Sequence, residues 1–405
     1  EGFLLKTIAI AGTFDSKGTE YLYVKKLIES FGVKTFTIHI GVFEPEFEPD
    51  VSNREVATAV KANIDEIVQK RDRALATELL SKGIEVLLPQ LYEQGKFDGI
   101  LSFGGSGGTA LITPAMRKLP IGVPKVMVST MASGNTEQYV GTSDIVMIPS
   151  IVDVAGLNVI STKIFDNAVF AILGMVNYSH AIVAEKKPLV AATMFGVTTP
   201  CVTFAREYLE ARGYEVLIFH ATGTGGKAME NLIDSGFIQG VLDLTTTEWC
   251  DELVGGVLSA GPNRLESAGK KGIPQVVSVG ALDMVNFGAM DTVPTKFLHR
   301  NLYKHNPSVT LMRTSEAENA DLGKIIAEKL NKATGATVLM LPLLGVSGID
   351  MENQPFYGPA EDQTLFDALR SNIDKKIVNL EEFDLHINDK LFAETAAQKL
   401  IDLMK

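Results

Sequence analysis

At 405 residues, with 46% hydrophobic and 21% charged residues, the chain is globular and too long for one ordinary core, which points to two or three domains. Its net charge of −12 excludes an electrostatic nucleic-acid surface, because such surfaces need an excess of Lys and Arg. The only two cysteines, Cys201 and Cys250, make neither a disulfide framework nor a paired-cysteine metal site, and they fit a reducing cytoplasm.

No apolar run reaches the roughly 18 residues of a membrane span, so no membrane partner is expected. The opening Phe3-Leu4-Leu5 lacks a basic leader and is read as the approach to a first strand. That strand covers residues 7–11 and runs into the polar loop Gly12-Thr13-Phe14-Asp15-Ser16-Lys17. Helical spacing of Leu22, Val24, Leu27, Ile28 and Phe31 follows, and residues 34–40 give the next strand. This is a βαβ unit with parallel strands and a right-handed crossover. After a Pro- and acid-rich surface loop at 44–53, helices are expected through 55–82 and 74–95. Strands are then expected at 99–103, 125–129 and 144–149, and an apolar helix at 158–184.

Glu185-Lys186-Lys187-Pro188 is the domain boundary, three charges and a helix-stopping proline. Beyond it the pattern restarts. Ala11, Gly32 and His39 each find the same residue type 181 positions later, at Ala192, Gly213 and His220. Strands follow at 215–220, 240–244, 275–279, 309–312 and 337–341, with helices at 317–333 and 393–404. The alternation predicts an α/β protein of two doubly wound, Rossmann-like domains, 1–185 and 189–405, with mostly parallel sheets and a cleft between them.

In such domains ligands sit at the carboxyl ends of the strands. There, in the first half, Phe103 runs into Gly104, Gly105, Ser106, Gly107, Gly108 and Thr109, with a helix expected to resume at Ala110. Bare backbone N–H groups before a helix suit an anion, most often phosphate. Two more polar strand ends join it: Gly12, Thr13, Asp15 and Lys17 on one, Ser129, Ser133 and Gly134 on another. The set fits a nucleotide with magnesium, with Lys17 neutralising phosphate and Asp15 or Asp144 holding the metal. The same residues would also serve simply as turns and helix caps, since neither the P-loop nor the dinucleotide spacing is present.

In the second half the matching loops carry Thr222, Gly223 and Gly225, then Thr245, Thr246, Thr247 and Glu248, then Ser347 and Asp350. They are candidates for a second small-molecule site, although Thr245 and Glu248 also have capping-box spacing. Glu248 with His220 or His305 would make an acid/base pair. His299 and His305 stand six apart, not the four of a helical zinc pair.

Several blocks together resemble one family. They are Gly12-Thr13-Phe14-Asp15-Ser16-Lys17-Gly18-Thr19-Glu20, Phe103-Gly104-Gly105-Ser106-Gly107-Gly108-Thr109, Ser150-Ile151-Val152-Asp153-Val154-Ala155-Gly156-Leu157-Asn158 and Ala281-Leu282-Asp283-Met284-Val285-Asn286-Phe287-Gly288. Asp243-Leu244-Thr245-Thr246-Thr247-Glu248 and His305-Asn306-Pro307-Ser308-Val309-Thr310-Leu311-Met312-Arg313 belong to the same likeness. The family is the Tm-one-like ATP-binding family, bacterial and fungal proteins related to the inhibitory region of a tomato tobamovirus-resistance protein. The resemblance implies two Rossmann-like subdomains, ATP with magnesium in the first, and a homodimer. It places the nucleotide on Gly12, Thr13, Asp15, Lys17 and the 104–109 loop, with Ser129, Ser133 and Gly134 nearby. A departure is Tyr357-Gly358-Pro359, where an acidic residue is expected before the proline. Three readings of function remain open at this point. One is an ATP-dependent enzyme of small-molecule metabolism with an unidentified second substrate. Another is a nucleotide-responsive homodimer without turnover, and the third a hydrolase or lyase using Glu248 and a histidine.

Overall fold

A computed structural model describes residues 6–69, 72–178 and 187–405. The chain divides into two compact units, residues 1–183 and 184–405. Residues 3–5, Glu185 and Lys186 lie outside the described residues, as does the 179–184 portion of the helix expected at 158–184.

The first unit is built on a five-stranded parallel sheet of β1 (Thr7–Gly12), β2 (Lys34–His39), β3 (Gly99–Gly104), β4 (Lys125–Ser129) and β5 (Val146–Pro149), in the order β2-β1-β3-β4-β5. Strands β1, β3 and β4 are apolar on both faces because helices cover both, so Ile8 and Ile10 pack on one side and Ala9 and Ala11 on the other. The region read as helical through 55–82 is broken into Asn53–Thr58, Ile64–Gln69 and the start of Arg73–Glu93. Ser52 opens the first of these with a capping box to Glu55.

The second unit contains β6 (Leu189–Met194), β7 (Glu215–His220), β8 (Gly240–Thr245) and β9 (Gln275–Gly280). It continues with β10 (Met284–Phe287), β11 (Leu302–Asn306), β12 (Val309–Arg313), β13 (Thr337–Pro342) and β14 (Val378–Phe383). Six of these form a parallel sheet in the order β14-β13-β9-β8-β6-β7. Read from the other edge, its first five strands repeat the order of the first sheet, so the duplication extends beyond one βαβ unit. The strand expected at 309–312 does not join it. β12 pairs antiparallel with β10 and β11 in a separate three-stranded sheet, because β11 and β12 are joined by a short hairpin and not by a crossover helix.

The helix Val159–Asn177 has 19 residues and a mean hydropathy of 1.6, long and apolar enough by length and composition to cross a membrane. This corrects the reading that no such run exists. Its Phe165, Val169, Ile172 and Val176 stripe is buried in the core beside β3 and β4. Cys201 and Cys250 are both free and buried, and burial pushes both thiols up.

Candidate functional site

Connections leave β1 and β3 toward opposite sides of the first sheet, which opens a crevice at their carboxyl ends. Tyr21, in the helix Gly18–Ser30, ties the two ends together. Its hydroxyl donates to the Phe103 carbonyl at 2.6 Å, its ring stacks on Phe103 at 3.8 Å, and burial pushes the phenol up to about 12. Gly12 is a glycine for this reason, since a Cβ there would lie 1.9 Å from the Tyr21 ring.

The glycines after β3 have no such explanation. The helix begins earlier than the sequence suggests, at Ser106, with Gly105 as its N-cap. Gly107 has nothing within 4 Å of a Cβ position, and Gly105 and Gly108 have only ordinary contacts at 3.8 and 3.9 Å. None of the three has positive φ. Gly107 and Gly108, inside the helix, nevertheless each cost up to about 1 kcal/mol of helix stability relative to Ala, whereas Gly105 is a favoured N-cap residue. Ser106 and Gly107 are exposed, and the N–H groups of this first turn have no helical acceptor. Beneath them, Thr109 donates to the Gly105 carbonyl at 2.7 Å and meets Ser129 Oγ at 2.6 Å. Thr109 and Ser129 are therefore buried supports of the turn, while Ser133 and Gly134 are exposed beside it.

On the β1 loop, Asp15 accepts from the Phe43 N–H at 2.9 Å through Oδ2, and its Oδ1 is buried without a partner. His39 is buried, accepts from the Phe14 N–H at 3.2 Å and bonds the Phe43 carbonyl at 2.8 Å, so it fixes this loop to the one after β2. Burial holds it below the usual imidazole range, hence neutral. Lys17 donates to the Val154 carbonyl, and Glu20 accepts from the Gly156 N–H at 2.6 Å. These two bonds seat the 150–158 segment on the helix. Thr13 is half-buried in the same loop and accepts from Ser16 Oγ at 3.0 Å.

That segment contains an outlier. Ile151 has φ of +66° in a tight turn closed by Val152 N–H to the Ser150 carbonyl at 2.7 Å, with its side chain 72% exposed. A β-branched residue is strained there by roughly 1–2 kcal/mol. Ile151→Gly is expected to raise stability by about 1 kcal/mol in a urea melt, and an equal loss would show that the side chain makes a contact worth more than the strain.

Asp144 is not part of this site. It sits at the opposite, amino-terminal edge of the sheet, where Lys125, the first residue of β4, donates to it at 2.6 Å and the Gly122 N–H at 2.7 Å. The buried lysine needs this carboxylate, since burial alone pulls its ammonium down. Among the described residues no group of three or more His, Cys, Asp or Glu side chains is placed to hold a metal ion.

In the second unit the structure reassigns most candidates. Glu248 accepts from the Gly223 and Gly226 N–H groups at 2.8 and 3.0 Å through Oε1, and from Arg264 Nε at 2.6 Å through Oε2. A Cβ at Gly226 would lie 2.2 Å from that carboxylate, and one at Gly225 1.7 Å from the His220 carbonyl. The glycine turn is thus an anion cradle already filled by the chain's own carboxylate. Glu248 is fully buried and not a free acid or base. His220 is exposed at the end of β7, and its carbonyl accepts from Thr222. His305 is exposed on β11, and neither histidine meets Glu248.

The threonines are buried as well. Thr245 pairs with Thr198 at 2.8 Å, Thr246 donates to the Ser278 carbonyl at 3.0 Å, and Thr247 to the Met284 carbonyl at 3.5 Å. The Thr245–Glu248 capping box does not form, because the helix Glu248–Val254 starts at Glu248 itself. Ser347 donates to Asp283 at 2.7 Å, and Asp350 accepts from the Val346 N–H at 2.9 Å. Both are fully buried. Of the candidates for a second ligand only Thr222, Gly225 and the exposed edge of that turn reach solvent.

Two arginines organise this unit. Arg264 forks onto Asp243, with 2.7 Å from Nη2 to Oδ1, and also bonds Glu248 and approaches Glu230 at 3.4 Å. Burial alone disfavours its charge, and Asp243, Glu248 and Glu230 more than reverse that; burial pushes Glu230 up against the pull of the guanidinium. Arg313 occupies a second such centre with Asp350 and Asp362.

Residues 6–181 match the model of the N-terminal domain, and residues 187–404 that of the C-terminal domain, of a family described as uncharacterised protein family UPF0261. The chain belongs to that family. It is 53% identical over 401 residues to a UPF0261 protein of Clostridium tetani, covering 99% of each chain. Identity is 44% over 400 residues to one from Rhizobium meliloti, covering 98% of this chain and 99% of that one. To the ToMV resistance protein Tm-1(GCR237) of Solanum lycopersicum it is 45% identical over 338 residues, 82% of this chain but 45% of the tomato protein. A UDP-N-acetylglucosamine 2-epimerase from Rickettsia bellii aligns over 98% of this chain and 95% of its own, at 10% identity and a TM-score of 0.21, from which nothing about this chain follows.

Proposed function

We propose that the N-terminal unit of this UPF0261 protein binds ATP with magnesium, its phosphates on the first turn of the helix Ser106–Met116. The observation that carries this reading is the bare backbone of Gly107, exposed, and of Gly108, half-exposed, glycines that neither packing nor dihedral angles require. Free N–H groups and the positive end of an 11-residue helix favour a phosphate there. The turn itself brings no cation, and Lys17 is engaged with Val154. Magnesium would supply the missing positive charge on the phosphate oxygens, and Asp15, with its unpartnered Oδ1, is the carboxylate of the neighbouring loop that could share it.

The buried, bonded hydroxyls of the second unit favour a nucleotide-responsive binding protein, acting as a cytoplasmic homodimer, over an enzyme with a second substrate on Thr245, Thr246, Thr247, Ser347 and Asp350. Titration calorimetry with ATP and magnesium is expected to show one site per chain, and a dimer whose melting temperature rises with nucleotide. No heat at millimolar ATP would overturn the reading. Steady phosphate release with an added metabolite would restore the enzyme.

A further inference from the structure

The connection from β13 to the helix Pro359–Asn372 spans residues 343–358, far longer than the two to six residues usual between a strand and a helix of this architecture. It lies across the carboxyl edge of the second sheet. Its Gly348 N–H donates to the Val197 carbonyl beyond β6 at 2.8 Å, its Val346 carbonyl accepts from the Ala281 N–H beyond β9 at 2.9 Å, and its Gly345 carbonyl accepts from the Ile387 N–H beyond β14 at 3.1 Å. Its outer surface keeps Leu344, Met351 and Tyr357 exposed.

Val346 and Phe356 are buried beneath it, and an ionic cluster joins them in holding it. Arg313, at the end of β12, donates to the Phe356 carbonyl at 2.8 Å, the Gly358 carbonyl at 3.1 Å, Asp350 at 3.3 Å and Asp362 at 2.8 Å. Asp350 joins the two ends of the connection by accepting from the Val346 and Gly358 N–H groups at 2.9 and 3.3 Å. Asp283, from the β9–β10 turn, accepts from Ser347 through Oδ2, and its Oδ1 is buried without any partner. One guanidinium therefore faces three carboxylates in a dry place. Fully ionised, the cluster would carry two uncompensated negative charges, an arrangement costing several kcal/mol.

We propose that residues 343–358 are a lid over the carboxyl edge of the second sheet, latched by Arg313 together with protons retained on Asp283 and Asp362. Burial and the neighbouring Asp350 push Asp283 up to about 7 and Asp362 up to about 8, against the pull of Arg313. Other charges around the latch do not replace those protons. Glu318 is paired with Arg300, Cys250 is a neutral buried thiol, and His386 bonds the Ser347 carbonyl. Glu352 is exposed, and Glu361 is half-buried beside Gly358 without an ion pair to Arg313. The closed lid holds protons that the open one, with its carboxylates in water, gives up to solvent. Closure is therefore strongest at acid pH, weakens as pH rises from the ordinary carboxylate range up to 7 to 8, and changes no further above that. Opening frees Ser347, Asp350 and Asp283 at the edge where sheets of this kind take ligands.

Hydrogen exchange of the full-length protein at pH 5.5, 6.5 and 7.5, corrected for the chemical rate, tests this. Amides of 343–358 are expected to gain about tenfold in opening per pH unit for each proton released, while those of β9 and β13 do not. Asp362→Asn mimics the protonated acid and is expected to flatten that slope. The idea is overturned if the corrected exchange of 343–358 is independent of pH, or if it moves in step with β9 and β13. It is equally overturned if Asp362→Asn folds and keeps the wild-type slope. The wild-type comparison stands without any variant.

Discussion

Arg264→Leu is expected to remove most of the stability of the second unit, by about 3–5 kcal/mol or more. Three carboxylates converge on this guanidinium, which is 1% exposed: Asp243 from the middle of β8, Glu248 from the turn after it, and Glu230 from the helix Thr224–Asp234. With the cation gone, Asp243 is buried opposite Thr193 alone, and Glu248 keeps only the two backbone N–H groups. Leucine fills part of the volume but compensates neither charge. The single tryptophan of the chain, Trp249, lies in this unit, so its fluorescence in a urea titration reports this unit. A midpoint within about 0.5 kcal/mol of wild type would show that the carboxylates take up protons or water at little cost. Glu248→Gln is the milder companion. The amide oxygen still accepts from Gly223 and Gly226, so a loss of about 1–3 kcal/mol is expected, a stability effect where a catalytic role predicted lost activity with intact folding.

Most strand positions were legible because apolar runs between glycine and polar breaks are what a sheet buried on both faces requires. The strands at 125–129 and 215–220 match the structure residue for residue. β10, β11 and β14 were not legible. β11 is Leu-Tyr-Lys-His-Asn, exposed and polar, and pairs only because the hairpin to β12 returns it to its neighbour. The apolar helix at Val159–Asn177 was legible, but its span-like length and hydropathy were not, since Lys163 and Asp166 interrupt the run.

The phosphate loop was legible as composition, but its start was not. Two glycines in a helical first turn defeat propensity, and the helix begins four residues before the Ala110 at which the apolar pattern resumes. The second unit misled for a physical reason. Glycines, threonines and a glutamate at strand ends have the same composition whether they receive an external anion or enclose an internal one. The missing signal was Asp243, a carboxylate between Leu242 and Leu244 in a strand buried throughout, which obliges some cation to be buried beside it. Arg264, in a loop of Gly, Pro and Asn, supplies it, and no local pattern marks that pairing.

Gly107→Asp is expected to abolish nucleotide binding, by at least about 100-fold, while leaving the fold as stable as wild type or more so. The two signs have separate causes. A side chain at 107 meets nothing within 4 Å and the backbone needs no positive φ, so the fold accepts it. An acidic residue in the first turn also interacts favourably with the helix dipole, by about 0.3–1 kcal/mol. That same carboxylate would occupy the place of the phosphate and repel whatever approached. Gly107→Ala separates the contributions, because it improves helix propensity by up to about 1 kcal/mol and adds one methyl where a ligand must come close to the backbone. Its expected loss in affinity is about tenfold. Calorimetry with ATP and magnesium, paired with thermal melts of the unliganded proteins, reads both effects on the same samples. If Gly107→Asp binds ATP as the wild type does, the nucleotide sits elsewhere. If it unfolds, these glycines answer to a packing constraint and the argument from their openness fails with it.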